Sequence, residues 1–140
     1  MSISLIVDVS NNYFSLKKYD KKLSYDSLVK FVSDVGTIKE MVAIVVHDKA
    51  NNNQKFLTML RHLGFKVLTS PNATAAQFDA IKVANSQLKD SNRVFLCTNA
   101  ICPLYELSEH SDKIVVIGRD IPIDFSEKYK CVEIPPSLTI

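Results

Sequence analysis

"SLIVDVSNNYF", residues 4–14, carries a short apolar, β-branched run that stops on Asp8, with Asn11 three residues further on. The plain reading is that a strand ends there and polar residues begin a loop. The functional reading poses Asp8 and Asn11 together at the carboxyl end of a central strand, where open α/β sheets hold their ligands. The choice between them depends on whether the rest of the chain builds such a sheet.

It has the pattern for one. Leu23 to Val35 reads as a helix, with Ser24 as N-cap and Tyr25, Leu28, Val29, Val32 and Val35 at helical spacing. Gly36 stands just past its end. Met41 to Val46 is a second strand, apolar on both faces, as a strand covered by two helical layers should be. Asn51 to Leu63 reads as a helix with Phe56, Leu57, Leu60 and Leu63 on one face and Gly64 at its end. Phe65 to Leu68 is the third strand, and the "TSPNAT" loop follows. Thr74 to Leu88 is helical, with Phe78, Ile81 and Leu88 inward and Asn85 buried on the same side. Arg93 to Cys97 and Lys113 to Ile117 are further strands, and Lys130 to Ile134 is a last extended piece. Strands alternating with helices predict one domain over residues 1–140. Its expected form is a three-layer α/β/α sandwich around a mostly parallel sheet of five to six strands.

Composition narrows the class. Hydrophobic residues at 46% and charged residues at 23% are ordinary for a water-soluble globular chain. No apolar run spans a bilayer, and Asp8 interrupts the first one too early for a signal peptide, so a cytoplasmic protein without membrane contact is expected. Cys97, Cys102 and Cys131 are odd in number and lack Cys-x-x-Cys spacing, which predicts reduced thiols rather than disulfides or zinc. A net charge of +2 permits a local nucleic-acid surface without demanding one.

The positions open to chemistry lie beyond the strand ends: Asp8 and Asn11, His47 and Asp48, the Ser70-Pro71-Asn72 loop, and Thr98-Asn99. Asp79 stands near the start of the helix after the third strand. Gly36, Gly64 and Gly118 are the only glycines, which excludes a P-loop and a dinucleotide-binding turn. No Gly-x-Ser-x-Gly elbow exists for serine hydrolase chemistry. A receiver-like or flavodoxin-like domain lacks its phosphoacceptor aspartate or its flavin-phosphate loop. Of the histidines, His62 belongs on a helix surface, His110 in a connection, and His47 in a surface or capping role.

Carboxylates gathered after strand ends suit a hard divalent cation, which takes oxygen ligands and can activate water against a phosphodiester. Here the chain resembles the NYN-type members of the PIN-like nuclease superfamily. "LIVDVSNNYFSL" is similar to the family's opening, in which Asp-x-x-Asn follows the first strand. "QKFLTMLRHLGFKVLTSP", "FDAIKVANSQL", "VFLCTNAICPL" and "KIVVIG" resemble its later segments in the same order, over roughly Ser2 to Ile134. The resemblance implies a nuclease-like fold, RNA or single-stranded nucleic acid as partner, and Mg²⁺ or Mn²⁺ as cofactor. Carried over by residue, it implies Asp8 and Asp79 as catalytic acids, with Asp8, Asp79 and Asn99 as metal ligands. Asn85, Asn99 and Ile101 stand where the family has aspartates. An amide oxygen brings no charge to offset dehydration of the ion, so the metal is expected to bind weakly or not at all.

Lys17, Lys18, Lys21 and Lys22 cluster after the first motif, interleaved with Tyr13, Phe14 and Tyr19. Such a composition fits phosphate contact and base stacking, and it adds Asn11, Tyr13, Lys17, Lys18, Lys21 and Asn99 as nucleic-acid contacts. Three functions follow, in order: an RNA-binding domain with weakened or lost nuclease activity, an active metal-dependent endoribonuclease, and a self-assembling or protein-binding scaffold. The last would use the apolar end "VEIPPSLTI" as an exposed docking tail for a partner chain.

Overall fold

The computed structural model describes residues 2–47, 53–90, 93–99 and 111–140. Asp48, Ile101, Cys102 and His110 lie outside the described residues. The elements are β1 (Ser2–Asp8), α1 (Val9–Lys17), α2 (Tyr25–Ser33), β2 (Thr37–Val46), α3 (Gln54–Leu63), β3 (Lys66–Ser70), α4 (Ala73–Gln87), β4 (Arg93–Cys97), β5 (Ile114–Gly118), α5 (Ile123–Ser126) and β6 (Lys130–Glu133). The sheet has six strands in the order β3-β2-β1-β4-β5-β6. Every neighbouring pair is parallel.

Right-handed crossovers explain the layering. From β1 the chain steps outward to β2 and β3, so α1, α2 and α3 cover one face. From β3 it returns across the sheet to β4, which puts α4 on the other. The side chains of β1 divide accordingly. Ile3, Leu5 and Val7 pack with Leu16, Leu28, Val32, Leu57 and Leu60 on the first face. Ile6 packs with Ala76, Ala80, Ile81 and Ala84 on the second. Both faces of β1 are buried, and the strand order reverses between β1 and β4.

The structure corrects the expectations at four places. Residues 9–17 form a helix where a loop was expected, because Asp8 ends the strand and caps the helix with the same side chain. Val35 is exposed, since α2 stops at Ser33 and the turn after it points outward. Phe78 is 48% exposed rather than inward. The face of α4 against the sheet is made of Ala76, Ala80 and Ala84 with Ile81, and Phe78 lies about 160° from Ala80 at 100° per residue. Small side chains let the helix lie close to the strands, which a larger ring at 78 would prevent. Asn85, for its part, is half-buried.

The C-terminal tail is the fourth. Leu138 is buried on the first face rather than free to dock. Ser24 N–H donates to the Leu138 carbonyl at 2.7 Å, and Ile140 N–H to the Lys22 carbonyl at 2.8 Å. Ile140 stays exposed, at 75%, as do Glu133, Pro136 and Ser137.

Gly118 ends β5 under a close approach. A Cβ there would meet the Thr98 carbonyl oxygen at 2.8 Å. That carbonyl belongs to the turn that carries Asn99, and Thr98 N–H donates to the Ile117 carbonyl at 2.8 Å. Gly118→Ala must push main chain against main chain. It is expected to cost about 1–3 kcal/mol in chemical denaturation, with an unchanged slope against denaturant.

Candidate functional site

The reversal of strand order opens a crevice at the carboxyl ends of β1 and β4, and the chain fills it with amides. Asn12 is buried, and its Nδ2 donates to the Asp8 carbonyl at 2.8 Å and to the Cys97 carbonyl at 2.9 Å. One side chain thus bridges the two strands where their ladder ends. Cys97 Sγ donates to Asn12 Oδ1 at 3.4 Å, and burial pushes the thiol up to about 12, so it stays protonated.

Asn11 lies one residue away on the side of α1 that faces β4. Asn99 N–H donates to Asn11 Oδ1 at 2.9 Å. Ser15 Oγ, one helical turn on, donates to Asn99 Oδ1 at 3.1 Å, and Asn99 Nδ2 donates to the Arg119 carbonyl at 2.5 Å. Asn11 and Asn99 are therefore brought together, as the strand-end reading expects. Asn12, Ser15 and the Arg119 carbonyl were missed. Their signal was the i, i+4 spacing of Asp8 with Asn12 and of Asn11 with Ser15, which becomes visible only once residues 9–17 are read as a helix.

Asp8 is fully buried. Its Oδ1 accepts from Asn11 N–H at 3.2 Å as the N-cap of α1. Among the described residues its Oδ2 has no hydrogen-bond partner. Burial raises the carboxyl from 3.8 to about 6, with the Asn11 N–H pulling the other way. Burial also raises the Tyr25 phenol, a shift to which the thiol of Cys97 and the charge of Asp8 add.

Asp79 stands apart from this group. Its carboxylate accepts a hydrogen bond from Ser70 Oγ at the end of β3, and β2 lies between β3 and β1. Among the described residues no hydrogen bond joins Asp79 to Asp8, and no three acidic, histidine or cysteine side chains gather where a metal ion could sit. The described residues do not fit Mg²⁺ or Mn²⁺. A hard cation of this kind wants about six oxygens with carboxylate charge among them. Here Asp8 offers one unengaged oxygen, while the amide oxygens of Asn11 and Asn99 already accept hydrogen bonds.

The remaining candidates lie on the exposed parts of α1 and just beyond. Tyr13 and Lys17 share one side, with the Lys17 ammonium 5.6 Å from the Tyr13 ring centre. Lys18 is tied to Asp120 at 2.7 Å, and Tyr19 donates to the same carboxylate at 2.6 Å. The hydrogen bond from Lys18 holds the Asp120 carboxyl below its usual range, and the contact raises Lys18 in return. Arg119 stacks on the Tyr19 ring at 4.5 Å, beside a cavity of about 290 Å³ that Lys21 also lines. His47 and His62 are both exposed.

A parallel α/β sheet with a polar, strand-end crevice at its switch point is the architecture of a PIN-like nuclease domain. Within that class the chain belongs to the NYN domain family, whose profile matches residues 2–133. Domains of this family are nuclease-like and RNA-related. In overall shape the chain is similar to a crystal structure of a protein of unknown function from Vibrio parahaemolyticus. The TM-score is 0.79 at 18% identity, covering 99% of this chain and 96% of that one, and the likeness concerns the fold. No curated protein matches the chain. Among the described residues no helix is long and apolar enough to cross a membrane.

Two predictions follow from the buried carboxylate and the amide network. The folded state holds the Asp8 proton more tightly than the unfolded chain does. The stability linked to Asp8 is therefore fully present below 3.8 and is lost as pH rises through about 6. That gap is worth about 3 kcal/mol. Asp8→Asn keeps a capping oxygen and removes the charge, so its stability relative to the parent should grow by about this amount between about pH 4 and pH 8, read by urea titrations at each pH. Asn99→Asp turns an oxygen toward the Arg119 carbonyl in place of a donor. It should destabilise by about 1–3 kcal/mol and show no Mn²⁺-dependent rise in melting temperature.

Proposed function

We propose that this chain is an RNA-binding NYN domain whose nuclease activity is lost or much weakened. The observation that carries the reading is the exchange of charge for amides at the strand ends. Asn99, in the place of a family aspartate, bonds Ser15 with its oxygen and the Arg119 carbonyl with its nitrogen. An asparagine satisfies both neighbours, whereas an aspartate satisfies one. With Asp79 held at β3, hydrolysis through a pair of carboxylates lacks, among the described residues, its second member beside Asp8.

Binding does not need that pair. Lys17 and Lys21 are exposed beside the crevice and, among the described residues, form no ion pair, which leaves their charge for phosphates. Lys18 shares its charge with Asp120 and contributes less. Tyr13, Asn11 and Asn99 complete the surface on which a single strand would lie. The partner is single-stranded RNA, and the domain works without a firmly held divalent ion.

Labelled single-stranded RNA in a gel-shift salt series tests this. The expected result is binding that weakens with salt by about 0.7 log unit per log unit of salt for each phosphate engaged, with a smaller slope in Lys17→Ala and Lys21→Ala. The same RNA should survive incubation with Mn²⁺. Binding that is absent or indifferent to salt overturns the proposal. Cleavage that disappears in Asp8→Asn would instead make the protein an active metal-dependent ribonuclease.

A further inference from the structure

A large cavity lies away from the Asn11–Asn99 crevice. It is a groove of about 1040 Å³ between α1, α2 and α3, reaching from Val9 and Ser10 at the start of α1 to Ile140. Four of the eight exposed large apolar side chains among the described residues line it: Tyr13, Phe14, Met59 and Ile140. Apolar residues scattered singly over a surface need no explanation, but half of them in one groove do. The Tyr13 and Phe14 rings meet edge to face at 5.3 Å and 79°, with Phe14 56% exposed. Lys17 and Lys22 add two positive charges to the lining and Asp26 one negative.

The charge narrows the occupant. With two lysines against one aspartate in the lining, a second copy brings the same surplus of positive charge to the contact. The occupant must instead bring negative charge together with flat apolar surface. A nucleotide has both, within the distance that separates the Lys17 ammonium from the Tyr13 ring, 5.6 Å.

We propose that the groove between α1, α2 and α3 seats unpaired bases of single-stranded RNA, stacked on Tyr13 and Phe14 with the adjoining phosphates at Lys17 and Lys22. This rests on the RNA-binding reading above and adds a base site on the side of α1 that faces α2 and α3. The strand then lies across α1, so that the groove holds bases while the crevice touches backbone. Such stacking accepts any base, since each has a π face.

The experiment uses the full chain and short oligoadenylate and oligouridylate. The protein has no tryptophan, so Phe14→Trp introduces a single emitter whose quenching by either oligonucleotide reports stacking directly. Affinity should be retained in this variant. Phe14→Ala should weaken binding about tenfold, and the Tyr13→Ala, Phe14→Ala pair further, with the salt slope unchanged. Both side chains are exposed, and far-ultraviolet circular dichroism checks that the variants fold. Parent protein that binds RNA while the double variant binds equally well overturns the groove and leaves the general reading standing. Parent protein that binds no RNA removes both. A dimer in sedimentation that Phe14→Ala dissociates gives the groove to a second copy and overturns the proposal.

Discussion

The fold depends most on how β1 and β4 are held together where they part. They are the two central strands, and they feed connections that run in opposite directions, so beyond Val7 and Cys97 no ladder can hold them. Two buried carbonyls would be left there without donors. Asn12 supplies both hydrogen bonds from one nitrogen, and it is placed to do so because α1 begins immediately after the strand. A buried carbonyl left unpaired costs about 1–3 kcal/mol, so this single amide outweighs most surface contacts in the molecule. Asn11 and Asn99 then extend the same clasp toward β5.

Asp8 sits inside that clasp at a cost. A capping residue needs only an oxygen, and asparagine or serine provides one without charge. The chain keeps a carboxylate in a place where burial works against its ionisation and where, among the described residues, one oxygen finds nothing to bond. Perturbed acids of this sort concentrate at functional sites. At the switch point the side chains of Asn11 and Asn12 stand beside it and engage the main chain of β1 and of the turn after β4. Position 99 is built into the structure by Ser15 and Arg119, and an aspartate there would leave the Arg119 carbonyl without its donor.

Much of the sheet was legible in the sequence because its strands are short apolar runs between turn residues. Arg93–Cys97 was read to the residue, and Gly64, at φ 106, ends α3 as expected. The misses share a cause. In α1, asparagines and serines turn inward to satisfy main chain, and in α4 alanines form the buried stripe, so large apolar residues do not mark the inner face. Phe14 and Phe78 are exposed where a count of hydrophobic residues would bury them. The strand-end rule foresaw that Asp8, Asn11 and Asn99 lie at one end of the sheet. The separation of Asp79 depended on Ser70, a partner nine residues away that no local pattern announces. Leu138 was misjudged because its burial rests on main-chain pairing with residues 22–24.

One feature of α1 has a mechanical side. The helix leaves the central strand at Asp8 with no intervening residues, and that junction is stapled across to β4. There is no slack to act as a hinge. A molecule pressing on Phe14 meets a rigid arm braced against the middle of the sheet. If the proposed strand binds there, the loss of freedom on association falls on the incoming chain rather than on α1.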